Sequence, residues 1–227
     1  MNKSAAIVGV AIAAISLSVG LVGCGKDSKT STTSTSTTTS PTTTSAAATT
    51  SAQASGPAQT LEEYLQANNI QATVVTHGTA GAPAIDLPVP EGWSQLPESE
   101  DAPYGGISYD APSDPASPVA FKARLSKLTG KIDTDKLLVA SVGELKNQQG
   151  FDGGDGEKST LSGFPAYQIL GSYTKNGAQR VGAEKTAVIQ GADGIYLLEI
   201  AGSGPEADAQ AIQNATNVID EKTTITP

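Results

Sequence analysis

The sequence predicts an α+β domain, an antiparallel β-sheet flanked by helices, preceded by a disordered Ser/Thr-rich linker. Three observations carry that reading. Every aromatic residue, from Tyr64 to Tyr196, lies beyond a low-complexity N-terminal stretch, so the core-forming chain is 60–227. Three strand-like runs follow one another late in the chain across Lys175-Asn176-Gly177 and Gly191-Ala192-Asp193-Gly194. Helical periodicity appears before, between and after the strand runs, and hairpins interrupted and closed by helices give helices packed on an antiparallel sheet.

Taken in order, residues 1–23 form an export signal. Lys3 is its only charge, and an uncharged run of small and apolar residues extends from Ala5 to Val22. Leu21, Val22, Gly23 and Cys24 resemble the bacterial lipobox, with Leu21, Val22 and Gly23 as the signal-peptidase recognition residues. Cys24, the only cysteine, stands where that motif requires it. The expectation is an acylated Cys24 that tethers the chain to the outer face of the cytoplasmic membrane. With about 0.8 kcal/mol per buried methylene, two or three acyl chains anchor stably where one does not. A single cysteine also excludes an intrachain disulfide and thiolate metal clusters.

From Ser28 to Ser51, 7 Ser and 12 Thr fill most positions, with no aromatic among them. Such a segment buries too little apolar surface to offset backbone entropy and is expected to be disordered. As a flexible coil, residues 24–59 reach roughly 30–35 Å. Their composition also makes them candidates for O-glycosylation.

Thr60-Leu61-Glu62-Glu63 has the capping-box pattern and opens a short helix with Leu61, Tyr64 and Leu65 on one side. Residues 72–77 and 84–87 read as two strands across the turn Gly78–Gly81. Eight of the 13 prolines fall between Pro83 and Pro118, which predicts mostly extended loop with a short strand at Gly106–Tyr109. Residues 119–128 form a half-buried strand presenting Lys122, Arg124 and Ser126 on one face. Asp133 or Thr134 caps a helix carrying Leu137, Leu138, Ser141, Val142 and Leu145 and ending near Asn147. Strands are expected at 163–174, 179–190 and 195–200, with Asn176-Gly177 as a hairpin turn. A last helix starts at Pro205 and buries Ala211, Ile212, Ala215, Val218 and Ile219, and residues 223–226 trail off.

The chemistry the sequence offers is sparse. A formal charge of −9 argues against a nucleic-acid partner, which requires basic patches. His77 is the only imidazole, no Gly-x-Ser-x-Gly elbow accompanies it, and it reads as structural or exposed. Asp152–Glu157 lacks the further ligands of a calcium loop and reads as solvated. No catalytic residue, metal site or cofactor is expected. Trp93, Tyr104 and Tyr109 share the Pro-rich stretch, where they either line a groove for an acyl or sugar ligand or lid the core. Seven acidic residues and no basic one lie between Gly78 and Phe121, followed by Lys122, Arg124, Lys127, Lys131 and Lys136. These are either two patches that steer a partner or solvated surface.

The linker, Ile85–Pro90, Leu96–Ser99, Ala102–Ile107, Leu125–Gly130 and the ending Ala215–Pro227 together resemble the LpqN-type lipoproteins of mycobacteria, across the whole mature chain. The resemblance implies a Mog1/PsbP-like fold, an α/β/α sandwich, and no catalytic residues. It also implies a cell-envelope role involving envelope lipids of mycolate or acyl-sugar type and MmpL-class exporters. Two functions are therefore expected: a tethered binding or accessory protein for such lipids, or a module that docks on an envelope protein without binding lipid.

Overall fold

The computed structural model describes residues 57–227; the expected export signal, Cys24 and all but the last three residues of the expected linker 24–59 lie outside the described residues. In chain order the elements are α1 Leu61–Ala67, β1 Gln71–Val75, β2 Ala84–Asp86, β3 Trp93–Leu96, β4 Gly106–Tyr109 and β5 Ala120–Thr129. Next come α2 Thr134–Ser141, α3 Gly143–Lys146, β6 Glu157–Leu161, β7 Phe164–Lys175, β8 Ala178–Gly191 and β9 Gly194–Pro205, then α4 Ala209–Lys222 and β10 Thr224–Thr226. The main sheet is antiparallel in the order β3-β4-β5-β9-β8-β7-β6, with β1 also paired to β5. The α+β class expected from the sequence is the one observed.

Local signals place these elements where expected. The capping box closes both ways: the Thr60 amide donates to Glu63 Oε2 at 2.9 Å, and the Glu63 amide donates to Thr60 Oγ1 at 3.3 Å. Asn176 and Gly177 both take positive φ, 53° and 77°, the twist that joins β7 to β8 in register. Strand alternation then divides the core between the two sheet faces. On one face Phe121, Ala123, Leu125, Leu198 and Ile200 pack with Ile212, Ala215 and Ile219 of α4. On the other, Leu128, Ile169, Tyr173 and Leu197 pack with Tyr64, Leu137, Leu138, Val142 and Leu145 of α1–α3. Helices thus cover both faces, but α1–α3 cover theirs unevenly.

Several expectations need correction. β1 and β2 do not form a hairpin: β1 pairs with the second half of β5, and β2 pairs with β10 in a separate two-stranded sheet. The turn Gly78–Gly81 separates two strands whose partners lie elsewhere, because β5 offers a long unpaired edge beyond β4. The C-terminal residues do not trail off; Ile225 is buried opposite Ile85. The Pro-rich stretch contains the additional strand β3, and the segment after Gly156 contains β6, both edge strands. The middle helix breaks at Val142 into α2 and α3. Gly143 allows the break to sit against the entering chain, since a Cβ there would lie 2.0 Å from the Gln59 carbonyl oxygen. β9 runs on to Pro205, and a 3-10 turn over Glu206–Asp208 precedes α4. The buried Asp208 carboxylate accepts from the Ser113 amide and, at 2.8 Å, from its hydroxyl, which fastens the Pro-rich loop to the start of α4.

Candidate functional site

The three aromatics singled out in the sequence do not share one groove. Trp93 is buried, 7% exposed, between Tyr109 and Phe121, with ring centroids 5.2 and 5.7 Å away. Tyr109 is half-buried against the same cluster. Tyr104 is buried too, its hydroxyl accepting from the Ile85 amide at 3.3 Å, and burial raises its pKa. One side of its ring stacks on His77, centroids 3.7 Å apart, and the His77 Nδ1 is hydrogen-bonded to Glu98. That bond holds the Glu98 carboxyl below its ordinary value. Tyr104, His77 and Glu98 line a polar depression of about 290 Å³, while Trp93 and Tyr109 are not among its lining residues.

The basic residues are largely neutralised within the fold. Lys122 pairs with Asp101, Lys127 with Asp193, Lys136 with Asp133 and Lys146 with Asp155. Asp155 thereby joins an ion pair, and no group of metal-ligating side chains occurs among the described residues. Arg124 forms no ion pair among the described residues.

Arg124 instead opens onto a two-lobed concavity, in the part of the sheet that α1–α3 leave uncovered. Two lobes of about 370 and 530 Å³ meet over β5, β9 and β8 and share Arg124, Glu144, Glu184, Glu199 and Ala201. Strand register explains the convergence. Arg124 sits opposite Glu199, and Glu184 sits opposite Ala201, one alternation away from Glu199. Cross-strand partners approach to about 5 Å and diagonal ones to about 7–8 Å between Cβ atoms. Glu144 reaches the same space from α3 because the break at Val142 reorients that turn. Leu61, Leu65 and Val74 form the wall of one lobe, and Leu145 and Tyr173 that of the other.

Three carboxylates facing one guanidinium leave this groove acidic. Burial, helped by the nearby Glu144 and Glu199 charges, pushes the Glu184 carboxyl up to about 7. Glu184 keeps some exposure overall, yet its Oε2 is buried with no hydrogen-bond partner. Burial also raises Glu199, against the opposing pull of Arg124. Arg124 is legible in the sequence as part of a charged strand, whereas the carboxylates that meet it are not singled out there. Glu199 did carry a signal, since it interrupts the apolar run Ile195–Ile200 where a partner or a cavity is required; Glu184, beside Lys185 on a strand with several polar residues, carried none.

The described domain coincides with a known family. A family model described as "Probable lipoprotein LpqN" matches residues 57–226. The chain belongs to the LpqN lipoprotein family. It is 52% identical over 222 residues to lipoprotein LpqN of Mycobacterium tuberculosis, covering 96% of this chain and 97% of that protein. The crystal structure of that organism's LpqN, described as involved in cell envelope biogenesis, superposes with a TM-score of 0.73 at 50% identity, over 76% of this chain and all of the other. A more distant relative, the proline-rich 28 kDa antigen homolog of Mycobacterium leprae, is 23% identical over 168 residues, covering 73% of this chain and 60% of that protein. The LpqN family description names a lipoprotein and no reaction, and the resemblance read from the sequence is thereby shown.

Proposed function

We propose that the chain is a cell-envelope lipoprotein, tethered through acylated Cys24, that holds an envelope lipid of mycolate or acyl-sugar type and assists an MmpL-class exporter without catalysing a reaction. In this reading residues 1–23 are removed, 24–59 form the leash, and 60–227 form the binding domain on the outer face of the cytoplasmic membrane. One observation carries the ligand assignment: the groove over β5, β9 and β8 has a mixed lining, with the apolar Leu61, Leu65 and Val74 in one lobe and Leu145 and Tyr173 in the other, around a floor of Arg124, Glu184 and Glu199. Ligand sites characteristically combine apolar lining with a few convergent polar groups. Carboxylates and a guanidinium accept from and donate to the hydroxyls of a sugar or hydroxy-acid head, while Leu61, Leu65 and Val74 suit the first methylenes of an acyl chain. The relative described as involved in cell envelope biogenesis supports a place in the envelope.

Native mass spectrometry of the chain from residue 24 onward, carrying Cys24→Ser and incubated with envelope lipid extract, tests the reading. A lipid adduct is expected on this chain and is expected to disappear with Ala201→Trp, which fills the groove. No adduct on the unfilled chain overturns the ligand assignment. The tether is tested separately by palmitate labelling, which is expected to be lost in Cys24→Ala; equal labelling of both proteins would refute it.

A further inference from the structure

The groove contains a buried, unpartnered acceptor that a purely structural role leaves unexplained. Glu184 Oε2 is sealed from solvent without a hydrogen-bond partner, on a strand whose other groove-facing neighbours are Gly182 and Thr186. Glu184 lines a further concavity together with Asp155, Glu157 of β6 and Asp220 of α4, and the groove brings charged and titratable groups from the other surrounding elements. Glu199 lies on β9, Glu144 on α3, Lys122 and Arg124 on β5, and Tyr173 and Lys175 on β7, with Glu62 of α1 and Asp101 at the rims. Lys122 is engaged by Asp101, which leaves Arg124 and Lys175 to face Glu144, Glu184 and Glu199, with Glu62 at the rim. Carboxylates therefore outnumber the cations left to balance them, and a ligand that displaces water there makes their charged forms costlier.

We propose that occupancy of this groove is proton-linked: Glu184 takes a proton from solvent as an uncharged lipid head group covers it, so the groove loads better in mildly acidic than in alkaline medium. This rests on the reading of the groove as a lipid site. The direction follows from the dominant cause acting on Glu184. Burial already keeps its neutral form populated up to about pH 7, and a covering ligand extends that burial. By linkage, a group that binds its proton more tightly in the complex makes the protonated protein the tighter binder. The protonated carboxyl also becomes a hydrogen-bond donor, which the ionised one is not.

Calorimetric titration with 6-O-octanoyl-trehalose, a probe with no titrating group of its own, at pH 6, 7 and 8 tests the inference on the chain from residue 24 onward carrying Cys24→Ser. Affinity is expected to fall about tenfold from pH 6 to pH 8. Glu184→Gln is expected to show no pH trend, its affinities at pH 6 and pH 8 being equal whatever their absolute size, while Glu144→Gln is expected to move the midpoint of the trend to lower pH. A parent affinity that is flat or rises with pH, or a trend that persists in Glu184→Gln, overturns proton linkage and leaves the groove as a lipid site. No binding by any variant at any pH overturns the groove reading and the linkage with it.

Discussion

Glu184 and Trp93 show how the same residue-level rule, burial of a side chain against its nature or with it, gives opposite energetic results. For Glu184 the folded state raises the carboxyl from 4.5 to about 7, so between those values the native protein holds a proton that the unfolded chain releases. Its contribution is fully favourable below the unfolded value and is lost as pH rises through about 7. Glu184→Gln is therefore expected to match the parent protein in stability at about pH 4 and to exceed it at pH 8 by about 1–3 kcal/mol, read from urea unfolding at both pH values. Equal stabilities at pH 8 would show that the carboxylate is hydrated. Trp93 is apolar surface where apolar surface belongs, packed on Tyr109 and Phe121. Trp93→Ala is expected to cost about 3–5 kcal/mol in the same measurement, against well under 1 kcal/mol if the ring were an open ligand platform. Its burial was not legible in the sequence, since a Trp on a Pro-rich stretch reads equally as groove lining or as core.

At the scale of elements, short-range chemistry set the boundaries and long-range pairing set the partners. Thr60 and Glu63 are three residues apart and satisfy each other's orphan amides, so α1 begins where the pattern says. Thr60→Ala is expected to cost about 1 kcal/mol in thermal or urea unfolding. The same entry segment depends on Gly143, which meets the Gln59 carbonyl too closely for a side chain, and on Asn147, which bonds Ala58 at its amide and its carbonyl, 2.8 and 2.7 Å. Gly143→Ala is thus expected to loosen α1 against α2, seen as faster hydrogen exchange across 61–67 with the β7–β8 hairpin unchanged. Nothing in residues 72–87 announces that the two strands part company. Val74 is exposed and Ile85 buried although both occupy similar alternating runs, because the first meets the edge of β5 and the second a C-terminal strand more than a hundred residues away.

For the whole molecule, the long central strands β5, β9 and β8 support both helical layers and the floor of the groove, whereas β2 and β10 form a separate ribbon outside the main sheet. Native-state exchange is expected to rank them accordingly, with amides of β8 and β9 slowest and those of β10 released in a smaller, earlier opening. Exchange of β10 at the rate of β9 would instead make the C-terminal strand part of the global cooperative unit. The sequence by itself determined the α+β class, the starts of α1 and α2, the β7–β8 and β8–β9 hairpins and the family, because periodicity, caps and turn dipeptides act within a few residues. The tertiary structure alone decided the pairing of β1 and β2, the burial of Trp93 and the meeting of Arg124, Glu144, Glu184 and Glu199. Those four lie on four elements spread over residues 124–199, and an alternating charge on a strand looks the same in sequence whether its face meets water or a groove. Only the break at Val142, which leaves one face of the sheet partly uncovered, separates the two cases.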